Sequence, residues 1–226
     1  MKRRKSFLYR NLANAASILG VLPLALLFLE DGYRYIIPLI VFNNVMDDLD
    51  GILAAKLDIR SRFGADLDNV CDAVAHVALA LAVGAHFGGP VLAAGAVAAA
   101  SIILRATSRL NPGAFSGCGS PTNELMRHLL FVLLLAPALG FEPENLLIPL
   151  FLLHAVSMLV PYRMPALLRS MASGSATAVV TVNAALITAW LVPQATLPIA
   201  AAFMLTYAYS FLVEGVRWRG WRRGRG

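Results

Sequence analysis

Four aspartates within one short stretch carry the clearest chemical signal in this sequence. Residues 47–72 read DDLDGILAAKLDIRSRFGADLDNVCD, with apolar runs on both sides. Asp47 and Asp50 stand three apart, and Asp68 and Asp72 four apart, so each pair, if helical, presents two carboxylates on one face. The residues between the pairs, among them Lys56, Arg60, Arg62 and Gly64, suffice to fold one helix back against another. Four carboxylates would then converge. Such a group repels itself unless a cation stands within it, and an all-oxygen donor set suits Mg²⁺ or Mn²⁺. Asp48, Asp58 and Asp66 fall outside the two pairs and read as solvated helix-end or loop charges.

The small residues of this stretch have a physical role as well. Gly51, Ala54 and Gly64 remove bulk where two helices would cross, which favours close packing in a membrane. Their fixed spacing to the aspartates favours a second role, letting a flat base or a phosphate approach the backbone.

The elements that must position these groups are membrane helices. Hydrophobic residues make up 58% of the 226 and charged ones only 14%, too apolar for a soluble domain, and one integral-membrane domain over residues 1–226 is the expectation. Eight apolar segments follow one another at 11–30, 34–56, 63–87, 89–108, 122–139, 145–162, 174–192 and 196–215, several near the roughly 20 residues a span needs. The expected fold is therefore an all-α, polytopic membrane bundle of about eight transmembrane helices. With the N-terminus inside, Arg34 alone of the 19 Lys and Arg residues lies outside. An even count then puts both termini in the cytoplasm, as the positive-inside rule requires. The net charge of +6 is thereby assigned to topology rather than to nucleic acid. Residues 1–10, with Phe7, Leu8 and Tyr9 among five cations, suit a short interfacial segment. The final RWRGWRRGRG suits an aromatic and cationic clamp on the membrane surface. Cys71 and Cys118 form no disulfide framework.

The aspartate stretch resembles the CDP-alcohol phosphotransferase family, whose pattern is D-x2-D-G-x2-A-R-x8-G-x3-D-x3-D. Asp47, Asp50, Gly51, Ala54, Gly64, Asp68 and Asp72 match it with every spacing kept, and Ala55 stands where the motif has arginine. The resemblance implies displacement of CMP from a CDP-linked lipid by an alcohol. It implies Asp47, Asp50 and Asp68 as metal ligands, with Asp72 sharing a second ion and acting as base on the acceptor hydroxyl. Gly51, Ala54 and Gly64 would lie against the CDP-lipid. A six-helix core, with 174–226 adding further helices and a basic tail, and a homodimer are implied in the same way.

A second polar region, RATSRLNPGAFSGCGSPTNELMRH at 105–128, would form an inside loop with its flanking helix ends. Arg105 and Arg109, four apart, would share a face suited to phosphate or carboxylate. With Arg60, Arg62, Asn111, Ser120 and Arg127 they are the candidates for the acceptor or for phosphate. The order Arg109-Leu110-Asn111, Phe115, Gly117, Ser120-Pro121 is similar to a segment of phosphatidylserine synthases of this superfamily, where Phe and Pro occupy the positions of Leu110 and Gly119. Serine is accordingly the expected acceptor of a phosphatidyl group from CDP-diacylglycerol, ahead of glycerol 3-phosphate, inositol phosphate or choline. His76, His86 and His154 read as structural. Lys56 points about 100° away from the motif position at Ala55 and is no obvious stand-in for the arginine. Two other classes compete: a divalent-cation transporter, since intramembrane carboxylates mark ion paths, and a non-catalytic membrane scaffold, which Ala55 keeps open.

Overall fold

The computed structural model describes residues 6–111, 121–160 and 175–223, and these are helical throughout, with no strand among them. After a single turn, α1 (Phe7–Arg10), capped by the Ser6 hydroxyl, come α2 (Leu12–Val21), two 3₁₀ segments (Leu22–Phe28 and Gly32–Tyr35) and α3 (Ile36–Lys56). Then follow α4 (Arg62–Phe87), α5 (Gly89–Leu110), α6 (Pro121–Leu139), α7 (Glu144–Leu159), α8 (Ser175–Leu191) and α9 (Pro193–Arg223).

Eight membrane spans are not what these residues build. Among the described residues, four helices are long and apolar enough to cross a bilayer: α4, α5, α6 and α9 over Pro193–Arg217. Leu12–Phe28, Glu144–Leu159 and Ala176–Leu191 are apolar but shorter. The reasons are local. Pro23 stands at the start of the 3₁₀ stretch that ends the regular part of the first apolar segment. Helix α3 is 21 residues long, yet Asp47, Asp48 and Asp50 interrupt its apolar run. Helices α7 and α8 reach only 16 and 17 residues. At about 1.5 Å rise per residue, 17 residues cover roughly 26 Å, short of the ~30 Å hydrocarbon layer. A hydropathy count registers apolar runs but not where a helix breaks. The result is an all-α, membrane-spanning bundle with four long spans.

The packing follows from small residues. Helices α4 and α5 form one of the closest pairs, with a Cβ on Gly84 falling 3.1 Å from the Leu92 Cα and one on Gly95 falling 3.2 Å from the Ala80 carbonyl oxygen. Bulk at either position would push the two backbones apart. Helix α5 also packs on α7, α2 on α3 and α4, and α9 on α6 and α8. Leu79, Val83, Ile102, Leu125, Leu129, Phe131, Leu147 and Phe151 fill the fully buried centre.

Candidate functional site: an acidic cavity between two helices

The turn between α3 and α4 brings the aspartate pairs together. Helix α3 closes through Leu57 N–H to Leu53 O at 3.0 Å and Ile59 N–H to Ala54 O at 3.1 Å. Asp58 takes a positive φ of 50°, a conformation that aspartate tolerates better than most residues. Ser61 then caps α4, its hydroxyl accepting from the Gly64 N–H at 3.0 Å. One face of each helix is left looking across the same gap.

Asp47, Asp50 and Asp68 each offer a carboxylate oxygen within 4.8 Å of the others. Asp72 stands beside them, its carboxyl in contact with that of Asp47, while Asp50 meets Asp68. All four line one cavity of about 360 Å³, together with Asp48, Gly51, Ala55, Lys56, Arg60, Arg109, Ala176 and Val179. Three hard oxygen donors at this spacing, drawn from two rigid helices, match the ligand chemistry of a divalent cation. The chain therefore carries a candidate acidic metal site at the place the spacing predicted.

Supporting side chains hold the carboxylates in place. Asn123 of α6 donates through Nδ2 to Asp47 Oδ2 at 2.6 Å, and the Ser17 hydroxyl of α2 donates to Asp50 Oδ2. Such second partners orient metal-binding carboxylates. Ser17 lies in an apolar segment, where a lone hydroxyl attracts no attention; a buried polar residue within a membrane helix was the available signal.

The small residues divide in function. A Cβ on Gly51 would meet nothing within 4 Å, so Gly51 opens onto the cavity and is not a helix-crossing point. Gly64 packs instead, since a Cβ there would sit 3.0 Å from the Asn14 Oδ1 of α2. Ala54 is half-buried and does not line the cavity. Ala55, where the motif has arginine, is exposed on the cavity wall, and Lys56 lines the same cavity. The 100° between neighbouring helical positions did not carry Lys56 away from it: the cavity spans more of the α3 circumference than one carboxylate face.

The candidate cations also separate. Arg60 and Arg109 reach the cavity. Arg105, only 5% exposed, lines a much smaller hollow with Asp72, His76, Arg109 and Thr122, and its Nη1 donates to Met158 O at 3.4 Å. Arg62 is exposed and lies 3.9 Å from Asp66 on its own helix. Arg127 is buried and turned to Glu124 and Asn44. Asn111 is exposed at the end of α5. Ser120, with Phe115 and Gly117 of the segment resembling phosphatidylserine synthases, lies outside the described residues, whereas Arg109, Leu110 and Asn111 end α5 and Pro121 begins α6.

Asp48 corrects the reading of it as a solvated charge. It is 5% exposed and accepts hydrogen bonds from Asn44 at 3.3 Å and Asn183 at 2.7 Å. The reason is tertiary: α8 packs against α3 at this point, which position along the chain does not reveal. His76 and His154 are fully buried.

The chain matches no protein-family model, no curated protein and no solved structure.

Proposed function

We propose that this protein is a membrane-embedded CDP-alcohol phosphotransferase, which moves a phosphatidyl group from CDP-diacylglycerol to an alcohol and releases CMP. L-serine is the leading acceptor; glycerol 3-phosphate, inositol phosphate and choline are its rivals. The observation that carries the reading is the convergence of Asp47, Asp50, Asp68 and Asp72, at the motif spacing, on one open cavity. The open face of Gly51 on that cavity supports it further, since a flat base or a phosphate can approach the backbone there.

Asp47, Asp50 and Asp68 would hold Mg²⁺ or Mn²⁺, with Asp72 at the edge of the set. A bound divalent cation supplies charge neutralisation for the donor's diphosphate. The remaining chemistry belongs to the chain's own residues. Asp72 accepts the proton of the acceptor hydroxyl as that oxygen bonds to the lipid-bearing phosphorus and the phosphorus–oxygen bond to CMP breaks. Lys56, Arg60 and Arg109 face the same space and offer the cationic charge that Ala55 does not. Arg109 lies on the wall shared with the smaller hollow beside Asp72, where the carboxylate of serine or the phosphate of a phosphorylated acceptor would find a positive partner. Lys56, Arg60 and Arg109 at the cavity also favour a cytoplasmic mouth by the positive-inside rule.

The test is CMP release by purified protein in lipid with CDP-diacylglycerol and Mg²⁺ or Mn²⁺. Serine, glycerol 3-phosphate, inositol, inositol phosphate and choline are supplied separately, with Asp72→Asn as control. Release with one acceptor, reduced about 10²–10⁴-fold in the variant, is the expected result and names the acceptor. Folded, metal-binding protein that releases no CMP with any of them would overturn the reading and leave a scaffold or an ion pathway.

A further inference from the structure

Helix α8 lies far from the aspartate motif in sequence, yet Ala176 and Val179 form part of the acidic cavity's wall. One turn beyond Val179, Asn183 is the amide in a largely apolar run, VVTVNAALITAW. An amide in such a helix is costly unless it is paired. Asn183 is paired within a chain of side chains whose polarity runs one way.

The chain starts at Arg127 on α6, 4% exposed. Its Nη1 donates to Glu124 Oε1 at 2.6 Å, and its Nε donates to Asn44 Oδ1 at 2.9 Å. Because a guanidinium has donors only, Asn44 must turn its oxygen towards it and its NH₂ group away. That NH₂ group donates to Asn183 Oδ1 at 2.9 Å and to Asp48 Oδ2 at 3.3 Å. Asn183 is thereby oriented in turn, and its own NH₂ group donates to Asp48 Oδ2 at 2.7 Å. Arg127 at one end thus sets the orientation of two amides, and a carboxylate that lines the cavity ends the relay. Reversed, each amide would face a like group and forfeit its bond.

We propose that the relay Arg127–Asn44–Asn183–Asp48 seats α8 as the outer wall of the acidic cavity. Asn183 and Arg127 are then positioning residues for the molecule that enters it. Asp48 in this scheme is an anchor for α8 and not a metal ligand. The occupant, a CDP-lipid, rests on the proposed function above; the seating of α8 does not.

Two measurements test this on the full-length protein in lipid. The first, amide hydrogen exchange, uses no substrate. Asn183→Val and Arg127→Lys should each raise exchange in peptides of α8 about tenfold by local opening, leaving α4 and α5 as in the wild type. Arg127→Lys keeps the charge and loses the Nε–H that orients Asn44. Asp48→Asn keeps an acceptor oxygen for Asn183 and should leave α8 protected. Wild-type exchange in α8 for both relay variants, or faster exchange throughout the bundle, would overturn the proposal. If Asn183→Val does not fold, Arg127→Lys decides it.

The second measurement reads the cavity. In Arg127→Lys the KM for CDP-diacylglycerol should rise about tenfold while kcat and the Mn²⁺ dissociation constant stay within about twofold, the pattern of lost substrate binding. Mn²⁺ affinity that falls as far in Asp48→Asn as in Asp68→Asn would make Asp48 a ligand and overturn its assignment as an anchor. If wild-type protein releases no CMP, the catalytic reading fails by itself, and the exchange data still decide whether the relay seats α8.

Discussion

Two of the polar groups inside this apolar bundle are built on opposite plans. The first is the aspartate quartet, where like charges crowd together, all four side chains line an open cavity, and amide or hydroxyl partners hold single oxygens. The second joins α6, α7 and α9 around His128, His154, Ser157 and Tyr207. There His128 Nδ1 lies 2.9 Å from His154 Nε2, the Tyr207 hydroxyl donates to Ser157 Oγ at 2.6 Å, and the Ser157 hydroxyl donates to His154 O at 2.8 Å. The His154 ring stacks on Tyr207 with centroids 4.6 Å apart. All four residues are buried. The closed group ties three helices together through its own hydrogen bonds and gathers no carboxylates, so helix packing accounts for it. The open group differs: its carboxylates share one cavity and form a candidate oxygen-donor set for a divalent cation.

That contrast breaks most readily at the quartet. Asp68→Asn should weaken Mn²⁺ binding, read by titration of the ion's paramagnetic signal, by more than about a hundredfold, beyond what loss of a supporting hydrogen bond costs. The fold should survive, because one repelling charge is removed. A variant that binds Mn²⁺ as the wild type does would erase the difference between the two groups.

At the closed group the effect should fall on stability alone. His154→Leu removes one partner of a buried pair and should cost about 2 kcal/mol. It should appear as a lower unfolding midpoint in detergent with Mn²⁺ affinity unchanged. Weaker metal binding in this variant would show the groups to be coupled.

The smallest of these effects sharpens the comparison. Asn123→Ala removes the 2.6 Å hydrogen bond to Asp47 and should weaken Mn²⁺ binding about tenfold, the low end for an outer partner of a metal ligand. Asn123 belongs to the open group only if this shift is seen without a stability loss of the size expected at His154.

The parts of this molecule were unequally legible. Asp47, Asp50, Asp68 and Asp72 could be read because helical spacing converts sequence distance directly into a shared face, and the turn between them is short. The helices themselves were legible from their apolar runs. Their number as spans was not, since Pro23 and the short α7 and α8 limit length in ways that an average over a window conceals. Asp48 reads as a solvated charge because it sits beside Asp47 on a charged stretch, and only α8, more than a hundred residues later, covers it. By its helical angle Lys56 falls outside the carboxylate face, whereas the width of the cavity decides which angles count.

The sequence by itself determined an all-helical membrane protein with two pairs of carboxylates, each on one helical face, since both follow from composition and a period of 3.6 residues. Tertiary structure alone decided which helices are long enough to cross, which cations meet the carboxylates, and that Asn183 and Arg127 join Asp48 in one relay. Those contacts link residues 83 and 139 positions apart. No local propensity specifies such a pairing; it arises where packed helices leave buried polar groups no partner but each other.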